Sequence, residues 1–295
     1  MFGRRPDGIA VKRGIDPITR VVPYIMTDRV DSQCYCTQFA DAEILQAYCR
    51  KKRAEGMRLS QMSVVIAAYI RAVAHMPELN RFVIGKTVYA RKELSVSFAM
   101  TKIVGKNDFL ETTVKVQFDP RDTIYQVADK VETTIETNRV ISNQNNTDKV
   151  VNILLAIPGL VGIATIILKG MDRFGLMPHA IIDASPFHTS MFITNVASIK
   201  LNTLHHHLYK FGSTTVFLGL GNKVSKIKLD RDGKLTQKKF YPIAVTTDER
   251  VAPGAVYGMA FQYLDKYLKH PELLEQPISP EELRFDYHAE YVGRK

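Results

Sequence analysis

The sequence predicts an α/β fold in one domain over residues 1–295, and three observations point to it. The chain of 295 residues is 45% apolar, enough for a substantial core. Stretches with apolar residues at helical spacing alternate with β-branched and aromatic runs of strand length. Gly56, Met76-Pro77 and Asp232-Gly233 punctuate the boundaries between them.

In chain order, residues 1–20 are rich in Gly, Pro and charge and read as an arm on the outside of the domain. Val21 to Phe39 has the β-branched and aromatic content of a strand. Asp41 stands as a helix N-cap before Ala42-Glu43-Ile44-Leu45-Gln46-Ala47-Tyr48, and Gly56 closes that helix. Ser60 opens the next, through Val64, Val65, Ala68, Tyr69, Ala72 and Val73, to an end near Met76-Pro77. Strands are expected around 86–90, 94–101 and 112–118, and Asp122 starts a polar helix toward Asn138. Asp230-Arg231-Asp232-Gly233-Lys234 reads as a hairpin turn between Ile227-Lys228-Leu229 and a strand from Phe240. Its first residues look like a calcium loop, but the closing Glu is missing. Gly219-Leu220-Gly221-Asn222 lacks the third glycine and following helix of a dinucleotide fingerprint, and suits a loop passing close over a strand. Residues 271–295 form a tail.

Forty Lys and Arg against thirty Asp and Glu give a formal charge of +10, which favours anionic partners. The basic residues are scattered, with short clusters at Arg50-Lys51-Lys52-Arg53 and Lys238-Lys239. No reading element for nucleic acid accompanies them, so no nucleic-acid partner is expected. Three cysteines, Cys34, Cys36 and Cys49, make no disulfide framework or metal-site spacing, and the Cys34-Tyr35-Cys36 alternation suits a strand with one buried face. No metal is expected. A reducing compartment follows, and the charged Met1–Pro6 segment lacks the apolar core of a signal peptide, so the expected location is cytoplasmic.

An apolar segment occupies 144–186. Val150 to Leu168 carries no charge and approaches the ~20 residues that cross a bilayer. Asn152, Pro158-Gly159 and Gly162 interrupt it, while Lys169 and Arg173 follow closely. Burial in the fold or a subunit interface, membrane contact through 150–168, and a true span all remain open here. Thr147-Asp148-Lys149-Val150 echoes a lipoylation site without the β-sandwich such a site needs, and the chain has no room for a lipoyl or subunit-binding domain.

Several short motifs, taken in order, resemble one family. Pro77-Glu78-Leu79-Asn80, Leu94-Ser95-Val96-Ser97-Phe98-Ala99, Phe192-Ile193-Thr194-Asn195-Val196, Val216-Phe217-Leu218-Gly219-Leu220-Gly221 and Tyr241-Pro242-Ile243-Ala244-Val245-Thr246-Thr247-Asp248 follow one another at compatible spacing. They resemble landmarks of the dihydrolipoyl acyltransferase catalytic domains and the related chloramphenicol acetyltransferases. Asp248-Glu249-Arg250-Val251-Ala252-Pro253-Gly254-Ala255 resembles their catalytic signature, Asp-His-Arg-x-x-Asp-Gly or His-His-x-x-x-Asp-Gly. Glu249 holds the position of the catalytic His and Pro253 that of the following Asp. The Thr-Pro-x-Gly-Leu segment of the dihydrolipoyl enzymes is absent after Met100, where Lys106-Asn107-Asp108 stands. The resemblance implies a mixed, mostly antiparallel sheet flanked by helices, and a homo-oligomer, a trimer, with active channels between subunits. It also implies a coenzyme A or carrier thioester as small-molecule acyl donor.

Carried over by position, Thr194 supplies the hydroxyl that binds the oxyanion, with Asn195 and Arg250 beside the substrate. Glu249 is the substituted base, which serves if burial raises its pKa. Pro253 offers no side-chain hydrogen bond and no N–H. His206 and His207, in the His205-His206-His207 run, are displaced candidates for the base, and His188, six residues before Thr194, is a candidate substrate contact. Two readings therefore stand: an acyltransferase with a replaced base, and a catalytically silent relative acting as a trimeric binding or assembly module.

Overall fold

The computed structural model describes residues 5–11, 15–103, 109–140, 156, 158–229 and 232–284. The chain runs β1 (Gly8–Ala10), α1 (Pro17–Ile25), β2 (Gln33–Asp41), α2 (Ala42–Ala54), α3 (Gln61–His75), β3 (Arg81–Ile84), β4 (Thr87–Arg91), β5 (Leu94–Ile103) and β6 (Phe109–Phe118). It continues through α4 (Ile124–Val140), α5 (Leu160–Phe174), α6 (His179–Ala184), β7 (Met191–Asn195), β8 (Val216–Leu220), β9 (Val224–Leu229), β10 (Leu235–Asp248) and α7 (Gly254–Lys269).

The sequence-predicted caps form as expected. The Asp41 carboxylate accepts from the Glu43 and Ile44 amides at 2.9 and 3.3 Å, and the Ser60 hydroxyl accepts from Ser63 at 3.1 Å. Gly56 takes a φ of 89° just past α2, where a β-carbon is disfavoured. The helix α3 is buried along nearly its whole length.

Strands β2-β10-β8-β7-β5-β6 form the main sheet in that order, with β9 extending β10 as a ribbon. Only β7 runs parallel to its neighbours β5 and β8; the other pairings are antiparallel. Met191, Ile193, Val216, Leu218, Ile243 and Val245 point to one face, where the largest apolar cluster joins them to α2, α3, α4 and α7. Side chains alternate, so Phe192, Thr194, Phe217 and Thr246 occupy the other face. There Phe192 and Phe217 pack with Leu208 from the covering 201–213 segment. The glycine run on β8 serves this approach: β-carbons at Gly219 and Gly221 would collide with the carbonyls of Leu204 and Asn202.

Three elements differ from expectation. Residues 17–25 are helical, and the strand begins only at Gln33. Asp16 caps α1 through the Ile18 and Thr19 amides, and Pro17 sits in the first turn, start signals that outweigh β-branched content. The N-terminal arm is not merely external, because β1 pairs with β4 and Arg5 and Asp7 are buried. Strand β10 starts at Leu235 rather than Phe240, its polar first half pairing with β9. Gly233, at φ 75°, makes the expected turn, while Asp230 and Arg231 lie outside the described residues. So do Lys106-Asn107-Asp108, Thr147–Val150 and residues 285–295.

The described part of the uncharged 150–168 run lies almost wholly in the first turns of α5, and it is not buried in this chain. Ile163, Ile166 and Ile167 are 58%, 72% and 55% exposed. Residues 150–155 and 157 lie outside the described residues, and no helix among those described is long and apolar enough to cross a membrane.

His75, at the end of α3, stacks on Tyr263 with ring centroids 4.1 Å apart and shares a 2.7 Å hydrogen bond with the Tyr267 hydroxyl. Burial lowers its pKa to about 4. The folded state thus holds the ring neutral, so stability is complete above the unfolded value of ~6.5 and is lost as pH falls toward 4. Between pH 7 and 4.5 this site is expected to cost about 2 kcal/mol in urea unfolding. His75→Gln should show a correspondingly shallower acid dependence, and an unchanged slope would contradict the assignment.

Candidate functional site

The end of β10 and the turn into α7 build a polar centre around Asp248, whose side chain is fully buried. Arg250 clamps it with Nε to Oδ1 at 2.9 Å and Nη2 to Oδ2 at 2.7 Å, and the Arg250 amide donates to Oδ1 at 3.1 Å. The Ser32 hydroxyl donates to Oδ1 at 2.9 Å, and Arg29 Nε makes an ionic contact with Oδ2 at 3.4 Å. Arg29 also donates from Nη1 to the Tyr209 and Gly212 carbonyls, each at 2.8 Å, which ties the 209–212 loop to this centre. Burial lowers the Arg29 pKa, and Asp248 opposes that shift. Beyond the turn, the Tyr257 hydroxyl donates to the Asp248 carbonyl at 2.9 Å, and Pro253 stands at the N-terminus of α7. Backbone and ion pairs together hold the loop rigidly.

Between buried Asp248 and buried Arg250, Glu249 alone turns outward and is exposed. Its amide donates to the Ser32 carbonyl at 2.9 Å, and the Cys34 thiol donates to its carboxylate at 3.6 Å. Burial raises the Cys34 pKa, and the Glu249 charge adds to the effect, so the thiol is held protonated. Arg29, Ser32 and Cys34 were not candidates from sequence. They reach this loop only because β2 pairs with β10, with Cys34 opposite Thr247; no local motif signals a contact across more than 200 residues.

Thr194 is half-buried on the sheet face away from the main core, paired with Gly219 of β8, which in turn faces Ala244 of β10. Glu249 lies five residues beyond Ala244. At about 3.3 Å per residue and about 4.8 Å between strands, Thr194 and Glu249 stand roughly 19 Å apart within one chain. Beside Thr194, the buried Asn195 Oδ1 has no hydrogen-bond partner among the described residues.

The histidine run crosses the same face as Thr194. His205 hydrogen-bonds through Nε2 with the Thr37 hydroxyl at 3.2 Å and the Cys36 carbonyl at 3.0 Å. His206 stacks on Phe217 at 4.2 Å, and its Nδ1 donates to the His207 carbonyl at 2.7 Å. His207 sets its ring edge-on to Tyr209. These contacts hold the His205 and His206 rings against the sheet, while His207 stays exposed on the covering loop. His188 is buried, with Nδ1 2.8 Å from the Ser185 hydroxyl and Nε2 3.3 Å from Asp172 on α5. It therefore fastens α5 to the start of β7. At the surface, Glu93, His179 and Asp183 bring ligand atoms within 4.8 Å of one another, joined by His179 contacts of 3.6 and 2.6 Å.

No family model matches the chain, and no curated protein matches it by sequence. Solved structures do resemble it. A probable dihydrolipoamide acetyltransferase from Listeria monocytogenes 4b F2365 matches with a TM-score of 0.55 at 14% identity, over 88% of this chain and 94% of the other. The cubic core of a pyruvate dehydrogenase multienzyme complex gives 0.53 at 15%, over 89% and 94%. A chloramphenicol acetyltransferase gives 0.53 at 12%, over 89% and 100%. At these identities the likeness shows the fold. The mixed, mostly antiparallel sheet with its helices is that of the chloramphenicol acetyltransferase and dihydrolipoamide acetyltransferase catalytic domains.

Proposed function

We propose that this chain is an acyltransferase that works as a homo-oligomer, a trimer, whose thioester site forms between protomers. Thr194 of one protomer faces the residue-249 loop of its neighbour, and coenzyme A is the acyl carrier. The observation that carries the reading is the outward turn of Glu249 from a rigid buried frame in an acyltransferase fold. Thr194, the other group acyl transfer needs, lies too far away on the same chain to share a substrate with it. One of the similar structures is itself a multi-subunit core, which supports assembly.

In this reaction an acceptor thiol or hydroxyl approaches the thioester carbonyl. Glu249 takes the acceptor proton as the new bond to the carbonyl carbon forms. The oxyanion of the tetrahedral intermediate accepts a hydrogen bond from the Thr194 hydroxyl. Collapse breaks the carbon–sulfur bond, and the proton on Glu249 passes to the departing thiolate, which releases coenzyme A and the acylated acceptor. Arg250 and Asp248 do not move a proton; they hold the loop that aims Glu249. A neighbouring protomer over Glu249 excludes water, the condition under which a carboxylate becomes a useful base.

A second reading, a catalytically silent binding or assembly module, is favoured by one specific feature: Pro253 offers no hydrogen-bonding group to orient Glu249. Titration of the purified chain with acetyl-coenzyme A, followed by free-thiol release in the presence of thiol and hydroxyl acceptors, separates the two. Turnover supports the transferase, whereas binding without turnover, or no binding at millimolar donor, overturns the transferase and supports the module.

A further inference from the structure

Next to the Asp248 centre lies a cavity of about 610 Å³, inside the range of roughly 300–1,000 Å³ usual for small-molecule sites. Lys86, Lys169, Arg173 and Lys210 line it, together with Arg29 and Arg250. Asp28 and Asp172 are its acidic lining residues, and both are already engaged. Asp28 pairs with Lys210. Asp172 accepts from Arg5 Nη2 at 2.8 Å and contacts His188 at 3.3 Å. Burial alone would raise the Asp172 pKa, yet His188 and Arg5 hold it below the usual carboxylate range. Arg29 and Arg250 are likewise committed to Asp248. Lys86, Lys169 and Arg173 are left with no carboxylate partner among the described residues.

The backbone gives an independent sign. Gly85 and Lys86, the two-residue turn between β3 and β4, both have positive φ, 56° and 74°. Glycine adopts this conformation freely, whereas a lysine there is strained. The turn abuts the end of α5, since a β-carbon on Gly85 would lie 3.6 Å from the Arg173 carbonyl. Its Lys86 ammonium sits 5.0 Å over the Tyr24 ring of α1. Lys169 and Arg173 are one turn apart on α5, so they share a side of the helix. A helix C-terminus by itself favours two cations there, but it does not account for a strained lysine brought in from a different element. The buried Arg5, Asp172 and His188 cluster fixes α5 in place, so the three cations are presented at set positions.

We infer that this cavity is an anion site for a phosphate-bearing ligand, held by Lys86, Lys169 and Arg173. Such a group reaches it from solution or from a lipid headgroup. Helices α1 and α5, which supply Tyr24 and Lys169, also expose Ile18, Ile25, Ile163 and Ile166, apolar surface of the kind that rests on lipid when the phosphate is a headgroup. The site needs neither Thr194 nor Glu249.

Calorimetric titration with inorganic pyrophosphate, and flotation with phosphatidylcholine vesicles with and without phosphatidic acid, test it on the full chain. The wild type is expected to bind one of these probes at low salt, more weakly as salt rises. K169Q/R173Q, which alters two exposed side chains, should lower the affinity at least about tenfold. Lys86→Gly should weaken binding while leaving the melting temperature equal or higher, an outcome that a purely structural role for Lys86 does not produce. Pyrophosphate binding abolished by these changes identifies a soluble ligand, and loss of only phosphatidic-acid flotation identifies a headgroup. Binding of neither probe, or equal binding by wild type and variants, overturns the site. Glu249→Gln should bind the probe as the wild type does, so failure of acyl transfer and failure of this site are read separately.

Discussion

Asp248→Asn is expected to cost roughly 3–5 kcal/mol of folding stability, the largest single-residue effect anticipated in this chain. The carboxylate is fully buried and faces two buried guanidinium groups, Arg29 and Arg250, at 3.4 and 2.7 Å. An isosteric amide keeps the shape but leaves both cations uncompensated, and its NH₂ points donors at donors. The damage should spread, because Arg29 also holds the 209–212 carbonyls and Ser32 positions the Glu249 amide. Thermal or urea unfolding reads the effect directly, as a fall in melting temperature of roughly 10 °C. A variant within about 1 kcal/mol of wild type would mean that the cluster is surface-like in energy despite its burial. Exposed Glu249, by contrast, is expected to tolerate Gln with little change in stability.

That difference between neighbours bears on what the sequence could disclose. The helices α2 and α3 were legible because Asp41 and Ser60 act locally, on amides two and three residues away. Most strands were legible from β-branched runs, and the turn at Gly233 from its Asp-Gly pair. The ordered motifs pointed to the fold as a whole, including the close loop over Gly219 and Gly221. Helix α1 was hidden because its first residues, Ile18 among them, read as part of the external arm and Val21, Val22 and Ile25 as a strand; only the Asp16-Pro17 start signal argues otherwise. The surroundings of Glu249 were not legible at all: Arg29, Ser32 and Cys34 join it through β2–β10 pairing, a contact that sequence spacing does not encode. The strain at Lys86 was equally hidden, since a lysine carries no turn signal.

Glu249→Gln is expected to lower acyl transfer by about 10²–10⁴-fold, the usual loss on removing a general base. Thr194→Val should lower it by about 10²–10³-fold, through the lost oxyanion donor. Neither change should weaken thioester binding to the same degree, so the loss belongs in kcat rather than KM. Valine keeps the β-branched shape that suits β7, and Gln at an exposed position leaves the Asp248 frame intact, so both variants should fold. His206→Gln offers a contrast. Its ring stacks on Phe217 and its Nδ1 is engaged, so its removal should reduce stability modestly and leave turnover within a few-fold of wild type. A loss for His206→Gln as large as for Glu249→Gln would move the base to the histidine run.

The claim that Thr194 and Glu249 act on one substrate from neighbouring chains is tested most directly by mixing them. Thr194→Val and Glu249→Gln chains, each inactive alone, are co-expressed and purified as mixed oligomers, and thioester turnover is measured. In a cyclic assembly formed at random from equal amounts, about one interface in four pairs an intact Thr194 with an intact Glu249, so about a quarter of wild-type activity should return. Mixed oligomers no more active than the single variants would contradict a site shared between protomers.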